Sequence, residues 1–295
     1  MGETCNGECG SCPKADTCTD TVKKRLYEER QLIRTRMDRI KHKIAIISGK
    51  GGVGKSTVTV NLAVALAQRG YGVGILDADV HGPSIPKMLG MKDEKLSVGP
   101  PGVFPAIGPF GIKVVSMDFL LPSEETPVIW RGPLKMGAIR QFLSEFVWGP
   151  LDFLLIDLPP GTGDEPLSVI QLIPEMDGAI IVTIPSEASQ RVVKKAISFA
   201  RELKVPIIGI IENMSGFVCP NCGAEVDIFK KGGGLKMAQE LSVPYLGSIP
   251  LDPSICVASD EGTPFALKNP TSPAVKSFVA IVEKVEAFIN SRKRA

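Results

Sequence analysis

No apolar run in this 295-residue chain approaches the roughly 20 residues that a membrane-spanning helix needs. Its opening stretch, MGETCNGECGSCPK, is polar and has no apolar segment of the secretory kind. Neither sign of charge dominates: 34 Lys and Arg against 32 Asp and Glu leave a net +2, too balanced to announce a nucleic acid. No internal repeat is visible. These absences argue against a membrane or nucleic-acid partner and for a cytoplasmic chain. In that reducing compartment the seven cysteines are expected as thiolate ligands or buried thiols rather than disulfides. The length suffices for a substantial core, in one large or two small domains.

Composition divides what is there into three regions. Residues 1–20 are rich in Cys, Gly, Thr and polar residues, with almost nothing to bury, and read as a Cys-rich tail. Residues 21–42 read as a charged linker helix with a narrow apolar stripe at Val22, Leu26, Ile33, Met37 and Ile40. Counted to Lys43, the stretch carries nine basic and three acidic residues. That balance could attract nucleic acid or an acidic partner, but a solvated linker helix is the simpler expectation. Residues 43–295 alternate short apolar strands with amphipathic helices. Strands are predicted at Lys43–Ser48, Val73–Asp77, Ile112–Met117, Phe153–Asp157, Ala179–Ile184, Ile207–Glu212 and Tyr245–Ile249. Helices are predicted near Gly54–Gln68, Lys135–Phe146, Ser189–Leu203, Gly234–Leu241 and Ala274–Arg292. Strands that are nearly continuous apolar runs imply an α/β fold, with a mostly parallel sheet covered by helices on both faces. Ligands then sit at the carboxyl ends of the strands. The Pro/Gly-rich stretch Lys92–Gly111 reads as a surface excursion. The apolar face of the last helix suits packing on the sheet better than a membrane surface.

The first strand breaks into Gly49-Lys50-Gly51-Gly52-Val53-Gly54-Lys55-Ser56-Thr57, which satisfies the phosphate-loop pattern of P-loop NTPases. Glycines let backbone N–H groups curl around an anion, and the following helix points its positive end at the phosphates. Lys55 supplies charge for the β- and γ-phosphates, and the Ser56 hydroxyl is placed for Mg²⁺. An ordinary phosphate loop has no need of Lys50. With it, GKGGVGKST resembles the deviant Walker A of the MinD/ParA/nitrogenase-iron-protein class. That resemblance implies that Lys50 reaches across a dimer interface to the partner's nucleotide; the plainer alternative is a solvated loop lysine.

Apolar runs ending in Asp77 and Asp157 are of the Walker B kind, with a carboxylate near Mg²⁺, although a lone strand-end Asp can also cap a helix. Asp157 opens a Gly/Pro-rich turn, Leu158–Asp164, suited to a switch loop. The class resemblance implies that Asp79 positions the attacking water and that Asp77 supports the metal shell. Asn213 follows another strand, and its amide offers a donor and an acceptor to an adenine edge, the use the class makes of it. A turn residue is the alternative. His81 reads as structural or solvent-facing, and Trp130-Arg131-Gly132-Pro133 carries no assignable chemistry.

Cys219-Pro220-Asn221-Cys222-Gly223 is a metal-binding knuckle suited to zinc or an iron–sulfur cluster. Two thiolates fill half of a Cys₄ site, and no second C-x-x-C follows downstream. A twofold dimer sharing one site resolves the arithmetic. With DADVHGPS, DLPPGTGD and ENMSGF, the chain from Lys43 onward resembles the Mrp/ApbC family of iron–sulfur cluster carrier ATPases. The resemblance implies a homodimer with a bridging [4Fe–4S] cluster, ATP hydrolysis coupled to loading or delivery, a cluster donor and recipient apoproteins. Cys5, Cys9, Cys12 and Cys18 lie within 14 residues too polar to fold alone, so a metal or cluster would order them. The last three resemble the N-terminal ferredoxin-like site of the family's cytosolic scaffold branch, with a shorter spacing to Cys5. Zinc, a redox-sensitive tail and the spacing of radical S-adenosylmethionine enzymes are the other readings. Cys256 is expected as a small buried hydrophobe. The rival functions are a MinD/ParA-type partitioning ATPase, an ATP-driven iron–sulfur reductase and a zinc-stapled dimer.

Overall fold

The computed structural model describes residues 21–79, 82–120, 132–219 and 222–292. Eight strands form one sheet: β1 (Ile40–Ile47), β2 (Val73–Asp77), β3 (Ala106–Ile107), β4 (Lys113–Val115), β5 (Leu151–Asp157), β6 (Gly178–Thr183), β7 (Ile207–Glu212) and β8 (Tyr245–Ser248). Their order across the sheet is β8-β7-β6-β1-β5-β2-β4-β3. Every neighbouring pair is parallel except β3 with β4, which is antiparallel. From β1 the chain builds one half of the sheet, returns through β5, and crosses to build the other half. The end of β1 therefore opens at the point where the winding reverses, the place where such sheets bind ligands.

Burial follows from the two-residue period of a strand. Ile44 and Ile46 of β1 face one core while Ala45 and Ile47 face the other. Phe153 and Leu155 of β5 likewise part from Leu154 and Ile156. The first core is closed by helices Lys55–Gln68 and Pro273–Arg292, the latter through Phe278, Val282, Val285 and Ile289. The C-terminal apolar stripe is thus packed on the sheet, as its sequence suggests. The second core is closed by helices Thr21–Met37, Gly132–Ser144, Asp164–Leu172, Glu187–Glu202 and Gly233–Glu240. Among the described residues no helix is long and apolar enough to cross a membrane.

Two expectations change here. The charged helix ends at Met37, and Ile40–His42 already belong to β1 rather than to a linker. Its last turns are not solvated: Ile33 and Met37 are buried beside Ile139 and Phe142. The stripe was narrow because only the C-terminal part of the helix has a face to cover. The Lys92–Gly111 excursion contains a small hairpin, Ser97–Gly99 with Gly102–Phe104, and the edge strand β3.

At the amino end of the sheet, Asp177 accepts the Lys43 amide at 2.9 Å and pairs with His42 Nδ1 at 3.1 Å. Burial alone would push the Asp177 carboxyl up. The His42 contact and the Lys43 amide outweigh it and hold the group below its usual range. A carboxyl depressed in the folded state stabilises above its unfolded pKa, and that stabilisation is lost as pH falls through the folded value. Asp177→Asn is therefore expected to cost about 1 kcal/mol near neutrality, a cost that shrinks as pH falls from the ordinary carboxylate range through the depressed folded-state value. Urea denaturation of both proteins across that range checks it.

Candidate functional site

The loop after β1 is built by its glycines. Gly54 is in the left-handed region (φ 76°) and caps helix Lys55–Gln68. A Cβ there would lie 2.3 Å from Asn213 Nδ2, and one at Gly49 would lie 2.5 Å from the Val192 carbonyl oxygen. Any side chain at either position collides with an element that fixes the loop. Gly54→Ala combines that collision with a strained φ and is expected to weaken nucleotide binding at least about 100-fold. Titration with a fluorescent nucleotide measures this; a loss under about threefold would show that the loop tolerates the shift.

Three side chains of the loop and its helix converge on Asp157, at the end of β5. Lys55 Nζ and Ser56 Oγ each donate to Asp157 Oδ2 at 2.6 Å, and Thr59 Oγ1 donates to Oδ1 at 2.7 Å. The carboxylate is wholly buried and Lys55 nearly so. Asp77, at the end of β2, stands directly opposite Asp157 in the strand register. It accepts the Ser116 hydroxyl at 3.0 Å. Burial, then the neighbouring Asp157 charge, pushes the Asp77 carboxyl up to about 8. Lys50, Lys55, Ser56, Asp79 and Pro160 line a cavity of about 210 Å³ over the loop. Asp79 is half-buried on its rim. An ammonium, a hydroxyl and two buried carboxylates at the mouth of an amide-rich loop suit a polyphosphate with Mg²⁺, a cation that prefers oxygen donors. The raised Asp77 fits the same reading, because a cation near two opposed carboxylates favours their charged forms.

Asn213 follows β7 and is buried; its Nδ2 donates to the Val53 carbonyl at 2.9 Å. That contact ties it to the phosphate loop. Six residues further on, Cys219 opens a turn between Phe217–Val218 and Glu225–Val226, a two-stranded ribbon. The Cys219 amide donates to the Ala224 carbonyl, and the Gly223 amide donates back to the Cys219 carbonyl, both at 2.9 Å. Gly223 supplies the left-handed φ of 71° that the turn requires. Cys219 is half-buried and Cys222 exposed, and neither is in a disulfide. Six residues of extended chain reach at most about 20 Å, which bounds the distance of Cys219 from the loop-holding Asn213. Val218, Val226, Ile228 and Phe229 are exposed apolar residues on and beside the ribbon, with Val218 and Val226 on its opposite faces.

Cys256 corrects its expectation. It is exposed on helix Pro253–Asp260, whose buried residue is Ala258. Cys5, Cys9, Cys12, Cys18, His81, Trp130 and Arg131 lie outside the described residues. Thr59, Ser116 and Glu212 were not singled out from the sequence. Thr59 had a usable signal: it stands four residues after Lys55 and so shares its helix face.

A phosphate loop at the central strand, with its lysine and serine on a Walker B carboxylate one strand away, defines a P-loop NTPase. Comparison with known proteins narrows the class. Residues 39–286 match the ParA family, described as NUBPL iron-transfer P-loop NTPase. A protein of Methanocaldococcus jannaschii named iron–sulfur cluster carrier protein is 59% identical over 284 residues, covering 96% of this chain and 98% of that one. A protein of the same name from Saccharolobus solfataricus is 55% identical, covering 88% of each. Among solved structures, a nucleotide-binding protein of Archaeoglobus fulgidus in complex with ADP aligns with TM-score 0.74 at 43% identity, over 85% of this chain and 96% of that one. The cell-division ATPase MinD of Pyrococcus furiosus shares the fold, with TM-score 0.60 at 24% identity, over 84% and 99%. The chain belongs to the NUBPL family of iron-transfer P-loop NTPases.

Proposed function

We propose that this chain is a cytoplasmic, ATP-hydrolysing iron–sulfur cluster carrier. Two copies hold one [4Fe–4S] cluster between their Cys219–Cys222 turns and pass it from a donor to recipient apoproteins. The observation that carries this reading is the pair of cysteines on one ribbon turn, six residues after the Asn213 that holds the phosphate loop, in a chain whose nearly full-length relatives bear the carrier name. Lys55 and the loop amides, from Gly49 to Thr57, hold the phosphates. Ser56, Asp157 and Asp77 hold Mg²⁺, which when bound offsets charge building on the β- and γ-phosphates. Asp79 on the cavity rim orients the attacking water. Lys50 lines that cavity and makes no ion pair among the described residues, which leaves it available to a partner's nucleotide. The exposed apolar side chains on and beside the ribbon support the dimer, since an assembly would cover some of them. Cys5, Cys9, Cys12 and Cys18 form a second cluster site.

Anaerobic reconstitution with iron and sulfide, followed by iron, sulfide and zinc analysis and transfer to an apo-acceptor, tests the reading. The expected result is a transferable cluster whose retention responds to ATP. Stoichiometric zinc without iron in protein purified anaerobically would make the site a structural staple instead.

A further inference from the structure

Glu212, the last residue of β7, is wholly buried and takes no part in the nucleotide machinery. Its Oε1 accepts the Ser215 hydroxyl at 2.5 Å and the Gly232 amide at 2.9 Å, and its Oε2 accepts the Gly234 amide. These donors flank the cysteine ribbon: Ser215 lies just before it, and Gly232 and Gly234 just after. The whole excursion from Gly216 to Lys231 therefore leaves from one carboxylate and returns to it. Three donors, two of them at the start of helix Gly233–Glu240, explain how a carboxylate is accommodated with no exposed surface. The glycines are part of the device. Gly232 has φ 81°, and a Cβ at Gly234 would lie 3.0 Å from that of Glu212.

The next residue points to the nucleotide. Asn213 holds the Val53 carbonyl, and its Nδ2 fills the space where a Gly54 Cβ would stand. One peptide unit thus carries a side chain clamped to the ribbon and another clamped to the phosphate loop. A shift of Val53 moves Asn213, and with it the backbone on which Glu212 is mounted.

We propose that Glu212 is a positioning residue that makes the cysteine ribbon follow the nucleotide loop, so that nucleotide occupancy sets the placement of Cys219 and Cys222. The significance of those thiols rests on the carrier reading above; the coupling itself needs no cluster. Linkage makes it reciprocal: whatever binds the thiols changes nucleotide affinity by the same factor as nucleotide changes theirs.

Hydrogen–deuterium exchange on the full-length, metal-free chain tests it, with and without a slowly hydrolysed ATP analogue and Mg²⁺. In the wild type the analogue is expected to change exchange across residues 216–231 by at least about threefold. Glu212→Gln places an amide N–H against a backbone N–H, and the nucleotide-dependent change is expected to fall below about 1.5-fold with nucleotide Kd within about twofold. Ser215→Ala removes a single hydroxyl and is expected to at least halve the change, which covers the case of a Glu212→Gln protein that fails to fold. Several results would overturn the assignment. They are a wild-type ribbon indifferent to nucleotide, a variant ribbon loosened equally in both states, a change retained in full by either variant, or a nucleotide Kd weakened more than about tenfold. None of these readouts requires bound iron, so a failed reconstitution and a failed coupling are separate results.

Discussion

Asp157→Ala is expected to destabilise the nucleotide-free protein by about 3–5 kcal/mol and to abolish nucleotide hydrolysis. The size follows from what the carboxylate neutralises. Lys55 is 6% exposed, and its ammonium has Asp157 as its ion-pair partner at 2.6 Å. Removing the anion strands that charge in the interior and takes the Asp157 acceptor from the Ser56 and Thr59 hydroxyls, of which Thr59 keeps the Lys55 carbonyl at 3.0 Å. Single removal of one partner from a buried pair costs far more than the pair is worth. The contrast between single and double variants is therefore the sharp test. Lys55→Met with Asp157→Leu removes both charges at similar volume and is expected to recover most of the lost stability, while remaining inactive. Thr59→Ala, which deletes one of three donors, is expected to cost about 1–2 kcal/mol. Urea denaturation midpoints of the four proteins decide it. A destabilisation under about 1 kcal/mol for Asp157→Ala would mean that Lys55 reaches water or another anion and that the buried pair does not hold the loop to the sheet.

How far the sequence discloses this arrangement depends on the range of the interactions that make it. Strands β2 and β7 were legible to the residue, because Val73–Asp77 and Ile207–Glu212 are apolar runs ending in a carboxylate. The phosphate loop, its lysine and its two strand-end aspartates were equally plain, since each sits at a fixed offset from a local pattern. The helix Asp164–Leu172 is absent from the sequence reading; it begins at the last residue of the Gly/Pro-rich turn Leu158–Asp164. Its first residues, Asp164, Glu165 and Pro166, are good helix starters, but the glycines before them carry the stronger local signal. Glu212 shows a deeper limit. Its partners Gly232 and Gly234 lie 20 and 22 residues away, beyond any periodicity, and an acidic residue ending a strand gives no local sign of whether it faces metal or backbone. Cys256 failed for the opposite reason: composition favours a buried thiol, while the register of a short surface helix turns the residue outward.

Cys222→Ala is expected to abolish the proposed bridging cluster while leaving the nucleotide affinity of the metal-free protein within about twofold. A Cys₄ site shared across a twofold axis draws two thiolates from each chain, so one substitution removes two of four ligands at once. The two remaining sulfurs cannot complete tetrahedral coordination at every iron, and loss should be total rather than graded. Nucleotide binding should survive because Cys222 is exposed on the ribbon turn, with Gly216–Val218 and Ser215 between it and the loop-holding Asn213. Cys256→Ala is the matched control, also an exposed thiol but on a surface helix, and it should leave iron content unchanged. The N-terminal cysteines complicate iron analysis of the whole protein. The clean comparison is made in a Cys5, Cys9, Cys12 and Cys18 quadruple alanine background, where the wild-type knuckle should retain about two irons per chain and Cys222→Ala almost none. A Cys222→Ala protein that kept its full iron and sulfide in that background would require ligands other than the paired ribbon turns. It would leave the nucleotide site intact but remove the knuckle from cluster transfer.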